Sequence, residues 1–149
     1  MTETDIYEYL RKRKLGVLGS IGPDNHPQSA LVGIAVTEAL EIIFDTVKSS
    51  RKYGNLIARP SCSFVIGWEG EQTVQYEGEA QELSGNELEQ LQRIYFEVWP
   101  DCRSHLTWPD IAYFVVWPRW IRYSDYDQSP PLVQEFVSSS LKSASRRHA

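Results

Sequence analysis

Phe44 to Leu56 reads FDTVKSSRKYGNL, and at its centre Ser49-Ser50-Arg51-Lys52 puts two hydroxyls and two cations in four consecutive positions. The apolar run before it ends at Asp45 or Thr46, and a helix is expected to begin around Ser49 or Ser50. Arg51 and Lys52 then fall in the first helical turn, where the helix dipole disfavours positive charge. An anion makes sense of that placement, because free backbone N–H groups, a hydroxyl and two cations together suit a phosphate. The residues alone leave two anions open: a solvated surface carboxylate or the phosphate of a ligand.

Other groups with chemical potential are scattered. His26, His105 and His148 have no cysteine or carboxylate at ligand spacing, so no metal site is expected. No G-x-S-x-G is present, and Ser, His and Asp form no recognisable triad. Gly16, Gly19 and Gly22 give G-x-x-G-x-x-G, which is neither the dinucleotide fingerprint nor a P-loop; strand packing and a turn account for them. Cys62, on an apolar run, reads as a core residue.

The 149-residue chain is long enough for a hydrophobic core, and its 42% apolar and 23% charged residues are those of an ordinary globular domain. A net charge of −5 argues against a nucleic-acid partner. The runs RKRK (Arg11 to Lys14) and Arg146-Arg147 are short and far apart. Cys62 and Cys102 form neither a disulfide framework nor a CxxC pair, which suits a reduced compartment. The N-terminus is acidic and polar, and no apolar run approaches the length of a membrane span. A cytoplasmic protein without membrane contact is expected. Five Trp and eight Tyr, many beyond residue 90, suggest a flat-ligand pocket, a subunit interface or an aromatic core.

These residues need elements to position them. Thr2 or Thr4 can cap an opening helix carrying Ile6, Tyr9, Leu10 and Arg13. Leu15 to Gly22 reads as a strand, GPDNHP as a turn, Gln28 to Val36 as a second strand and Leu40 to Thr46 as a third. The helix from about Ser50 must end before Pro60. Ser61 to Trp68 and Thr73 to Leu83 give two more strands, and Ser84 to Glu87 has the form of a capping box ahead of Leu88, Leu91, Tyr95 and Val98. Trp99 to Asp110 reads as a loop, and Ile111 to Tyr126 as a long β run broken or bulged at Pro118. Residues 1–127 thus form one domain, and 128–149 a polar tail, read as a loose helix or as disordered. Turns between strands one and two, two and three, and four and five are too short for parallel crossovers. A mainly β fold is expected: a six-stranded antiparallel barrel with about three helices.

The order PQSALVG, FDTVKSSRKYGNL, ARPSCSFVIGWEGEQTVQYEGEAQEL, WPRWIRYSDY resembles the flavin-binding split-barrel proteins related to pyridoxamine 5′-phosphate oxidase. The strand-end aromatic-x-Thr, the following S-R-K and the V-x-x-x-G-x-A strand recur in that family in this order, and the likeness spans roughly Ile6 to Tyr126. The resemblance implies an FMN cofactor at the interface of a homodimer. It implies that Arg51 and Lys52 hold the FMN phosphate with a hydroxyl from Ser50. Asp45 and Thr46 would line the ribityl chain and ring edge, and Gln28, Ser29, Ala30, Leu31 and Val32 would meet the flavin ring. Gln72 or Thr73 would reach the cofactor from the neighbouring subunit, and Trp117 or Trp120 would lie near it.

Two departures narrow the function. Where the oxidases carry an arginine on the second strand, this chain has Gln28 or Ser29. The C-terminal Arg-x-His pair that binds substrate phosphate in those oxidases is missing, since the chain ends SRRHA. The expectation is an FMN-dependent oxidoreductase of unknown substrate without pyridoxamine-phosphate oxidase activity. A deazaflavin-dependent reductase of the same fold, or a non-catalytic flavin or phosphate-ligand binder, is the alternative. The flavin does the electron chemistry, so no catalytic acid or base is assigned. Part of the subunit contact is expected in the segment from Trp99 to Trp120.

Overall fold

The structure, a computed structural model, describes residues 1–137. In chain order the elements are α1 (Glu3–Arg11), β1 (Leu15–Ile21), β2 (Pro27–Gly33), β3 (Ala35–Val36), β4 (Ile42–Val47), α2 (Arg51–Ala58), β5 (Ser61–Ile66), β6 (Gln72–Glu82), α3 (Gly85–Val98), β7 (Ile111–Asp125) and β8 (Leu132–Val137). Short 3-10 turns cover Pro23–Asn25 and Pro100–Thr107. The strand order is β2-β1-β5-β6-β7-β4-β3, with β8 alongside β7, and all pairs are antiparallel. β2 also approaches β4, so the sheet curls into an antiparallel half-barrel, as the short turns require.

Period-2 alternation sorts the side chains into two layers. Ile42 and Phe44 of β4, Phe64 of β5, Tyr76 of β6 and Phe114 of β7 fill the barrel, where Phe44 and Phe114 stack at 5.4 Å. The Tyr76 hydroxyl, fully buried, donates to the carbonyls of Leu40 (2.7 Å) and Val116 (3.1 Å), so its one polar atom is satisfied. α1 contributes Ile6 and Leu10, both 0% exposed, worth about 1.5–3 kcal/mol each in buried apolar surface. Thr2 and Asp5 cap that helix reciprocally, so the capping residue is Thr2 and not Thr4. The alternate residues Ile43, Tyr113 and Val115 face outward and pack beneath Leu91, Tyr95 and Phe96 of α3.

Several boundaries differ from the sequence expectation. There are eight strands among the described residues, not six. The run from Gln28 to Val36 is continuous in composition but changes partner at Ile34: β2 pairs with β1, and β3 pairs with β4. The eighth strand lies in the expected tail, where Leu132 and Phe136 pack on the barrel core while β8 pairs with β7. The rest of that tail, 138–149, lies outside the described residues. Ser84 is the N-cap of α3 but makes no side-chain capping bond; Gly85, at φ 62°, swings the chain away from the capping-box geometry. The expected loop from Trp99 holds the longer 3-10 turn. The bulge expected at Pro118 is present: Gly78 faces Pro118 while Glu77 faces Trp120, leaving Arg119 as the extra residue.

Candidate functional site

α2 starts where β4 runs out. Ser50 is its N-cap: the Oγ accepts from the Tyr53 N–H (3.3 Å) and shares a hydrogen bond with Thr46 Oγ1 (2.8 Å). Thr46 therefore props the helix start. Arg51 and Lys52 follow in the first turn, and neither makes an ion pair or a side-chain hydrogen bond among the described residues. Both line a cleft of about 230 Å³ together with Ser20, Gln28, Ser29 and Ala30. The structure thus gathers Gln28, Ser29, Ala30, Arg51 and Lys52 around one cleft, and Ser50, the cap of α2, is not part of its lining.

The contact that ties these elements together was not legible in the sequence. Asn55, one helical turn beyond Arg51 and 4% exposed, donates through Nδ2 to Ser20 Oγ (3.0 Å) and Gln28 Oε1 (2.9 Å). A serine in a strand and an asparagine in a helix carry no local signal of such a contact, which joins residues 35 and 27 positions apart.

The other candidates lie elsewhere. Leu31 points outward, 62% exposed, and Val32 is buried in the barrel. Asp45 and Thr46, as neighbours on a strand, face opposite sides. The Asp45 carboxylate turns toward α3, accepting from the Tyr95 hydroxyl (3.4 Å) and pairing with His105 Nδ1 (2.7 Å). Gln72 and Thr73 sit at the far end of the sheet. Thr46 is opposite Ala112 and Thr73 is opposite Ser124, twelve residues of β7 apart, roughly 40 Å of extended chain. They share no wall with Arg51 of the same chain. Trp117 and Trp120 lie opposite Glu79 and Glu77, so the bulge between them places both on the outer face of the sheet.

The Asp45–His105 pair is a second polar centre, which the sequence did not single out because its members are 60 residues apart. Asp45→Ala removes a charge-assisted bond from a half-buried site and should cost about 1.5–3 kcal/mol of stability. Urea midpoints measure that loss, and affinity for any ligand of the Arg51 cleft should be unchanged. Burial also pushes the Tyr95 and Tyr113 phenols up, Tyr113 to about 12, with the Asp45 charge adding to both. It pushes the Cys62 thiol from 9.0 to about 12. These groups ionise at lower pH once unfolded, so the unfolded chain holds fewer protons and stability must fall as pH rises. Denaturation midpoints should drop between pH 9 and about 12.

Among the described residues, no group of three or more His, Cys, Asp or Glu is placed to hold a metal ion, and no helix is long and apolar enough to cross a membrane. Residues 2–125 match the family model of pyridoxamine 5′-phosphate oxidase. The chain belongs to that family. No curated protein matches its sequence. Among solved structures, a heme binding protein from Mycobacterium smegmatis superposes with a TM-score of 0.78 at 13% identity, covering 92% of this chain. This chain spans 58% of that protein's length. A pyridoxamine 5′-phosphate oxidase-related, FMN binding protein from Nostoc punctiforme gives 0.64 at 11% identity over 91% of this chain and 92% of the other. General Stress Protein 26 from Bacillus anthracis gives 0.64 at 16% identity over 91% and 100%. At these identities the likeness is one of fold, and the pyridoxamine 5′-phosphate oxidase family is the split-barrel family that the motif order resembled.

Proposed function

We propose that this member of the pyridoxamine 5′-phosphate oxidase family is an FMN-binding flavoprotein, a cytoplasmic homodimer acting as an oxidoreductase. The observation that carries this reading is the pair of cations at the start of α2, without side-chain partners among the described residues and lining a cleft. A phosphate there meets the helix dipole, free backbone N–H groups, a guanidinium fork and an ammonium. A bound flavin supplies the electron chemistry. The chain's own part is to hold the phosphate with Arg51 and Lys52 and to seat the ring against Gln28, Ser29 and Ala30. Gln28 or Ser29, where the oxidases carry a second-strand arginine, argues against pyridoxamine-phosphate turnover. Titration tests the reading: FMN should bind more tightly than riboflavin, and equal affinities would remove the phosphate from the account.

A second copy completes the site in this proposal. The cleft, at about 230 Å³, is below the roughly 300–1,000 Å³ of pockets that enclose a small ligand. Leu31, Val17 and Val65 stand in register across β2, β1 and β5, with Leu31 62% and Val65 42% exposed. An apolar row beside an open site suits a subunit contact, across which Gln72 or Thr73 would reach the cofactor from the partner, as the family resemblance implies. Light scattering should report a dimer, and Leu31→Asp should give monomer with weakened FMN binding. A wild-type monomer that keeps the cofactor contradicts this.

One observation favours a second reading. His105 has one ring nitrogen held by Asp45, its ring is 23% exposed, and its other nitrogen makes no hydrogen bond among the described residues. A carboxylate-oriented imidazole such as His105 would be able to hold a haem iron through its other nitrogen, and the Mycobacterium smegmatis fold neighbour is described as heme-binding. A porphyrin spectrum lost in His105→Ala would support it.

A further inference from the structure

We propose that Asn55, which lines no part of the cleft, is a positioning residue that fixes the Gln28 amide and so sets the fit of the flat, uncharged part of the ligand; this rests on the flavin reading. Asn55 is on α2, Ser20 on β1 and Gln28 on β2, so one buried carboxamide ties the helix that carries the cations to the two strands that form the rest of the wall. Ser20 and Asn55 are each 4% exposed, shielded from competing water. Gln28 is confined from the other side too. A Cβ added at Gly22 would lie 2.5 Å from Gln28 Nε2 and 3.1 Å from its Cδ. The amide thus lies between Gly22 and Asn55, its oxygen bonded to Asn55 and its nitrogen against the glycine.

This confinement has a consequence for selectivity. An unrestrained glutamine samples many rotamers and loses that freedom on binding, whereas a held one meets the ligand with its hydrogen-bonding edge already placed. The cleft then has two ends of different chemistry: a cationic end at Arg51 and Lys52, and a neutral, preset amide at Gln28. Asn55 acts on the second end only. Gly22 is at φ −83°, a backbone conformation open to alanine, so a methyl there disturbs the Gln28 amide without altering α2.

The test is a pair of double-mutant cycles read by ligand affinity, with FMN, riboflavin and inorganic phosphate as probes. Asn55→Ala and Gly22→Ala should each weaken riboflavin and FMN by roughly 2- to 12-fold, the worth of one neutral hydrogen bond, and leave inorganic phosphate binding unchanged. In a Gln28→Ala background neither substitution should have any further effect. Should Asn55→Ala not fold, Gly22→Ala carries the same test alone. The proposal is overturned if Asn55→Ala weakens phosphate as much as riboflavin, or if the losses add to that of Gln28→Ala, because either result means a general loosening of the wall. Failure of the wild-type protein to bind either flavin overturns the proposed function itself, which is a different outcome from additive losses in a protein that binds.

Discussion

Gly78→Ala should destabilise the fold by about 3 kcal/mol or more, at or beyond the upper end for an added methyl in a packed interior. The new Cβ would fall inside contact distance of the Trp117 carbonyl oxygen, 2.9 Å from Val116 Cγ1 and 3.0 Å from the Trp117 carbonyl carbon. Two of those atoms are backbone and cannot step aside as a side-chain end can. The strain also falls on the bulge that sets the register of β6 on β7, the longest pairing in the sheet. Gly54→Ala is the natural comparison. That residue lies within α2 with nothing within 4 Å of an added Cβ, so alanine should be neutral or stabilise by up to about 1 kcal/mol through helix propensity. Urea denaturation of the two variants beside wild type checks both signs, and similar midpoints for the two would show that the bulge yields.

Arg51→Ala should weaken FMN binding by about 10- to 150-fold, the loss of one charged hydrogen bond worth about 1.5–3 kcal/mol. Riboflavin has no phosphate and should bind nearly as before. The fold should survive, because Arg51 is exposed, has no ion-pair partner among the described residues and stands against the helix dipole. Equal weakening of both ligands, or of neither, would leave the cations as part of a solvated helix face. Parallel titrations of wild type and variant with the two ligands decide it.

The split barrel was legible because short turns forbid parallel crossovers, and because the alternation in β6 and the proline in β7 each have one ready structural reading. The phosphate end of the site was legible for a similar reason: Ser50, Arg51 and Lys52 are contiguous and stand at a helix start. What the sequence hid depends on geometry between distant residues. Asp45 and Thr46 are adjacent in sequence, yet the pleat sends one to His105 and the other to Ser50. Trp117 and Trp120, three apart, would normally face opposite sides, and only the extra residue at the bulge reunites them. The partner exchange at Ile34 leaves no mark in an unbroken apolar run. Asn55 had no signal because its role lies in Ser20 and Gln28. The strand at Leu132–Val137 was hidden by a Ser- and Pro-rich approach and is stabilised by the edge of β7.

The most direct measurement is the visible absorption spectrum of the purified protein, with mass identification of whatever denaturation releases. Flavin bands are expected, either as isolated or after incubation with FMN, together with release of FMN as the intact phosphate ester. A porphyrin spectrum, a released deazaflavin, or a protein that stays colourless after exposure to FMN would contradict the flavin reading.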